Sequence, residues 1–349
     1  MTRPRSNDGC ETGTTKKPED SVVRKINAPA IALAALALMA AAPANAQNYP
    51  TRTITMVVPY PAGGPSDVVA RIVADGMSKR LGQSIVIENV GGAGGTLGTA
   101  RVAAAEPDGY TLLAASMGSH VAAPAFYPNL KYDSTKDFAA IGLTAHAPAA
   151  IVARKDFPAN DLKEFIAYVK QNGDKVKQAH GGVGSSSHMA CLLFTSEFGL
   201  KPSLIGYRGT GPALNDLIGS HVDFFCEQVV SVAAAVKGGT IKAYAVSASA
   251  PSPALPSVPT AKDAGAPAYV MSIWSAVFAP KGTPQPIVAK LADALDQTLD
   301  DPAVRDRLVG LGGIVPAKAE RGPANLATLL TAEIARWAPI LKAAATTTN

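Results

Sequence analysis

Cysteine is scarce, with three in 349 residues, at Cys10, Cys191 and Cys226. None belongs to a C-x-x-C pair, and the five histidines form no H-x-x-x-H, so the chain carries no pattern for a zinc or iron–sulfur site. Charged residues are also few, at 17%, and the net charge of +5 is spread without a basic block or aromatic–basic interleaving, which argues against nucleic acid as a partner. No G-K-[ST] occurs, and Gly91 to Gly95 does not continue into G-x-G-x-x-G, so a nucleotide-phosphate cradle is not indicated. G-x-S-x-G is missing as well, and with it the strand–turn–helix nucleophile of many hydrolases. Cys191 and Cys226, without metal-type spacing, read as small buried apolar residues and not as a bridge.

One apolar run is present, Ala28 to Ala42, and it is too short for a membrane span. Fifteen helical residues at about 1.5 Å each reach roughly 22 Å, against the roughly 30 Å of a bilayer core. Arg24-Lys25 precede it and Ala44-Asn45-Ala46 follows, so the segment reads as a secretory signal peptide cleaved after Ala46. No cysteine stands at or just after that site for a lipid anchor. Met1 to Val22 is polar and unlike an n-region; a start at Val23 leaves a compact leader, and residues 1–22 are assigned no function. Removing 46 residues, with six Lys/Arg and four Asp/Glu, leaves 303 residues with 26 cations against 23 acids.

The remainder alternates strand-like and helix-like segments. Thr53 to Pro59 is a β-rich run, and Ser66 opens an amphipathic segment ending at Leu81-Gly82. Ser84 to Val90 and Tyr110 to Ala115 are strand-like around a helical Thr96 to Ala105. A second series follows Pro148: strands near 149–154, 176–179, 204–207, 222–225 and 242–247, with helices near 161–171, 186–198, 212–218 and 229–237. After a proline-rich passage, a strand near 273–279 and two helices, 284–299 and 324–341, close the chain. This spacing predicts βαβ units and a mostly parallel sheet covered by helices.

Several helices open directly after a strand on glycine or small polar residues: Pro61-Ala62-Gly63-Gly64-Pro65-Ser66-Asp67, Gly91 to Thr96, Gly181 to His188, and Gly209 to Pro212. In a parallel sheet such loops gather at the carboxyl edge, where ligands bind. Each offers unpaired amides and a positive helix end, which suit an anion. Ser66, Ser186 and Thr210 also suit ordinary N-caps, and His188 a cap-region hydrogen bond. Ser187 beside His188 does not make a nucleophile–base pair, because neighbouring residues on a helix point apart.

The loop Pro61 to Asp67, the run Ile87 to Gly95, Ala105-Glu106-Pro107-Asp108-Gly109-Tyr110, Gly184 to His188, Tyr207 to Leu214, Cys226-Glu227-Gln228 and Ala279 to Pro284 together resemble the Bug family, the substrate-binding proteins of tripartite tricarboxylate transporters. The resemblance implies an α/β, two-lobed type II periplasmic binding protein with a ligand cleft between the lobes and two crossover strands. It places residues 47–147 plus 272–349 in one lobe and 148–271 in the other. It further implies a periplasmic, monomeric receptor, needing no cofactor, that captures a small organic mono- or dicarboxylate, does no chemistry on it and delivers it to membrane permease subunits. The carboxylate is expected on Ala62, Gly64, Ser66 and Asp67 from one lobe and Gly184, Ser185, Ser186 and Ser187 from the other, with Ser116, Thr210, Glu227 and Gln228 as further contacts. Glu227 departs from the Asp of the family pattern. It either receives an ammonium group of the ligand or turns away to pair with Arg208 or Lys242. The rival readings are a periplasmic ligand sensor for a signalling receptor and a serine-dependent hydrolase.

Overall fold

The computed structural model describes residues 48–345. The expected leader, its cleavage after Ala46, and Cys10 lie outside the described residues. The first elements follow the apolar pattern closely. β1 (Ile54–Val58) leads through the glycine–proline loop into α1 (Pro65–Leu81), which ends on Gly82 in the left-handed conformation. β2 (Ile85–Asn89), α2 (Thr96–Ala103) and β3 (Thr111–Ser116) complete a parallel set in which β1 lies between β2 and β3. A π turn at Gly118–Ala122 and a helical turn at Ala123–Phe126 then bring the chain to β4.

β4 (Phe138–Arg154) is far longer than the strand expected near 149–154. Its first part runs antiparallel to β9 (Ser272–Pro280), and β9 pairs antiparallel with β3. From Ala149 onward it pairs instead with β7 (Phe224–Gln228) and β8 (Ile241–Val246), both antiparallel. The strand order is therefore β2-β1-β3-β9-β4-β7-β5-β6, with β8 attached to β4. Here the expectation of a mostly parallel sheet needs correction. The sheet is mixed, because β4 and β9 enter it antiparallel.

Beyond β4 the chain resumes parallel units: α3 (Leu162–Asn172), β5 (Lys177–His180), α4 (Ser186–Phe198), β6 (Ser203–Gly206), α5 (Thr210–Ile218), then β7, α6 (Val229–Lys237) and β8. β5 lies parallel to both β6 and β7. Three helices follow β9 where two were expected: α7 (Gln285–Asp300), α8 (Pro302–Gly310) and α9 (Pro323–Ala345). The extra one, α8, starts at a proline in its first turn, capped by Asp301, whose carboxylate accepts the Ala303 N–H. α7 packs on α1 at Gly76, where a Cβ would overlap the buried Thr298 side chain.

Cys191 on α4 and Cys226 on β7 form a disulfide, with Cα atoms 5.0 Å apart. The expectation of two unpaired cysteines is thus corrected. A pair 35 residues apart has no local spacing to reveal it; only the packing of α4 across β7 brings the thiols together. Among the described residues no helix is long and apolar enough to cross a membrane.

Candidate ligand-binding site

Four strands deliver their carboxyl ends to one place. The β1–α1 loop contributes Tyr60, Pro61, Gly64, Pro65 and Ser66; the β5–α4 loop, Gly181, Ser185, Ser186 and Ser187. The β6–α5 loop adds Gly209 and Thr210, and the end of β7 adds Glu227 and Gln228. Together they line one cavity. Three helix starts border it, at Pro65, Ser186 and Thr210, and their first-turn amides lack intrahelical partners. None of the lining residues is lysine or arginine. Any anion held here is met by dipoles, amides and hydroxyls.

Hydrogen bonds fix these walls. Ser185 caps α4 by accepting the His188 N–H, and its hydroxyl meets that of Ser187 at 3.1 Å. Ser187 Oγ accepts from the Gly181 amide at 2.9 Å, and Ser186 Oγ accepts from the Gly118 amide at 3.2 Å. The His188 ring accepts the Gly184 N–H through Nδ1 and makes no hydrogen bond to a serine hydroxyl. Burial, helped by the neighbouring His180, pushes the His188 imidazole down to about 4, and burial lowers His180 as well, so both rings are neutral at pH 7.

Of the residues singled out in the sequence, Gly64, Ser66, Ser185, Ser186, Ser187, Thr210, Glu227 and Gln228 stand on the cavity wall. The other four stand off it. Ala62 is exposed on the loop. Ser116 is buried behind Tyr60, whose hydroxyl it meets at 3.1 Å. Gly184 gives its amide to His188. The Asp67 carboxylate is occupied by Arg71 through two bonds of 2.9 Å, by the Gly63 amide and by Asn89. Burial opposes its charge, but those donors outweigh it and hold the carboxyl below its ordinary range. Asp67 therefore fastens the glycine loop to α1 and β2. Tyr60 was not anticipated as a wall residue. Its only signal is an aromatic ring at the junction of an apolar strand and a glycine loop.

Glu227 is 1% exposed and pairs with no cation among the described residues. Its Oε2 lies 2.6 Å from Thr210 Oγ1, and its Oε1 accepts the Gln228 N–H at 2.7 Å. The pairings expected with Arg208 or Lys242 do not form. Lys242 donates to the carbonyls of Phe157 and Ala159, and Arg208 is exposed. Desolvation raises the Glu227 carboxyl to about 7, with the two hydrogen bonds pulling the other way.

The description "Tripartite tricarboxylate transporter family receptor" matches residues 69–345. The chain belongs to that family. It is 46% identical to MatC from Rhodopseudomonas palustris, solved with bound malate, over 84% of this chain and all of that one, with a TM-score of 0.81. The periplasmic binding protein BugD is 41% identical over 85% of this chain and 98% of its own, again at 0.81. Rpa4515 of R. palustris, solved with adipate, is 30% identical over 84% and 98%, also at 0.81. These neighbours are binding proteins, and their mixed α/β architecture is that of this chain.

Proposed function

We propose that this receptor captures a small organic mono- or dicarboxylate in the cavity between the β1–α1 and β5–α4 loops and passes it, in the periplasm, to a tripartite permease. The observation that carries this reading is the convergence of three helix N-termini and five serine and threonine hydroxyls on one cation-free cavity. Each helix end contributes about 0.3–2 kcal/mol to an anion, and each hydrogen bond to its charge about 1.5–3 kcal/mol. The total is of the order of the roughly 8 kcal/mol of a micromolar complex. Malate in MatC and adipate in Rpa4515 support the chemical class. Two lobes, 47–147 with 272–349 and 148–271, are taken to close on the ligand. Turnover is not part of the reading, because His188 spends its ring nitrogen on Gly184 and leaves the serines without a base.

A thermal-shift screen with malate, adipate, citrate, aspartate and an aromatic acid tests the class. A ligand at 100 times its Kd adds about 2.7 kcal/mol of stability. Ser186→Ala is expected to weaken the best ligand by about 1–3 kcal/mol. A panel in which no carboxylate raises the melting temperature refutes the reading.

A further inference from the structure

Thr210 and Glu227 share one wall of the cavity, and a single hydrogen between them decides what that wall offers. The Thr210 hydroxyl has one hydrogen and lies 2.6 Å from Glu227 Oε2. The other carboxyl oxygen already accepts the Gln228 N–H. If Glu227 is ionised, Thr210 must give its hydrogen to the carboxylate, and the wall turns lone pairs and a buried negative charge towards the cavity. If Glu227 is protonated, its O–H donates to Thr210 Oγ1, and the threonine hydrogen is free to point at a ligand oxygen. The first arrangement repels a carboxylate, whereas the second binds it.

Resting on the carboxylate reading above, we propose that this receptor loads its ligand together with one proton on Glu227, and that the proton turns Thr210 from an acceptor into a donor towards the bound carboxylate. The balance is simple: a solvent proton bonds to Glu227 Oε2, and the bound ligand remains an anion. The surroundings favour it. No cation answers Glu227, and the titratable groups that face it are phenols: Tyr60 from the first loop, pushed by burial to about 12, and Tyr269, also raised chiefly by burial. His180 and His188 beside the serine loop are held neutral, and Arg208 is exposed. The carboxyl, raised to about 7 by desolvation, gains its proton within reach of physiological pH. An ionised Glu227 would instead suit an ammonium group, so the same proton separates plain dicarboxylates from amino acids.

Calorimetry with malate and adipate, in two buffers of different ionisation enthalpy between pH 6.5 and 9, tests this above the ordinary carboxyl range. The wild type is expected to take up close to one proton on binding above about pH 7, and to lose affinity about tenfold per pH unit there. Glu227→Gln, whose amide donates permanently to Thr210, is expected to bind at pH 9 as well as at pH 6.5 without proton uptake. Thr210→Val is expected to lose at least tenfold at pH 6.5, with Thr210→Ser restoring it. Wild-type pH dependence retained in Glu227→Gln overturns the switch. So does a folded Glu227→Gln that no longer binds malate while the wild type prefers aspartate, which makes Glu227 an ammonium site. If no acid of the screening panel binds, the carboxylate reading fails separately, and the proton is then judged in the ligand-free protein. There a Glu227 side-chain carbon resonance that stays ionised at pH 6 overturns the switch, and one that turns neutral as pH falls through about 7 supports it.

Discussion

At the scale of single residues, Glu227 also sets a stability term that is separable from binding. Its carboxyl is raised in the folded chain from an ordinary 4.5 to about 7, so the native state holds the proton more tightly than the unfolded one. The stability from that proton is full below about 4.5, falls as pH rises, and is lost once the folded group ionises near 7. Each unit corresponds to 1.36 kcal/mol, so Glu227→Gln should gain roughly 3 kcal/mol over the wild type at pH 8 and little at pH 4. Urea denaturation of both proteins across that range measures it, and parallel curves would show that Glu227 does not titrate there. Much of the wall was legible residue by residue. Gly64, Ser66, the three serines and Thr210 signal themselves locally, as glycine turns and hydroxyls at helix starts after strands. The N-caps, however, are Gly64, Ser185 and Gly209 and not the expected Ser66, Ser186 and Thr210, each of which sits one or two residues inside its helix. Asp67 gave no such signal: its acidic side chain in the first turn fits a ligand contact or a strut equally, and only the structure shows its carboxylate occupied by Arg71 and Asn89.

At the scale of elements, the difference between what was readable and what was hidden follows from range. α4 and α6 begin and end where caps, glycines and apolar periodicity put them. The first part of β4 was missed because its small residues and Pro148 break the β-branched pattern that marks a strand. The proline is tolerated at the point where β4 leaves β9 for β7 and β8. The Cys191–Cys226 bridge was hidden for the same reason, since it depends on α4 crossing β7. That bridge ties the helix headed by Ser186 to the strand that carries Glu227, and so links two walls of the cavity covalently. Closing a loop of 35 residues constrains the unfolded chain by about 4 kcal/mol. Replacing both cysteines with alanine is expected to lower the unfolding free energy by about that amount in urea. A loss well under 1 kcal/mol would indicate that the bridge does not form in the folded protein.

At the scale of the whole molecule, the loops around the cavity already touch one another across it. Tyr127 donates to the Val183 carbonyl at 3.0 Å, and the Gly118 amide reaches Ser186 Oγ. Gly94 lies so close to Val183 that a Cβ would overlap its carbonyl oxygen, and its φ of +65° disfavours any side chain. A Cβ at Gly209 would likewise press on the Pro61 ring. If the segments 47–147 with 272–349 and 148–271 move as lobes, these contacts belong to the closed state and are absent from the open one. The glycines then serve closure more than folding. Gly94→Ala should raise the closed state by about 3 kcal/mol through overlap with the Val183 carbonyl oxygen. Each 1.4 kcal/mol is tenfold, so affinity for the best carboxylate should fall about 100-fold. The melting temperature without ligand should change little, since an open receptor does not make the contact. Small-angle scattering separates the cases: the wild type should contract on adding ligand, and Gly94→Ala should not at the same concentration. A Gly94→Ala protein that binds and contracts like the wild type would mean that the loops do not part, and that ligand enters by another route.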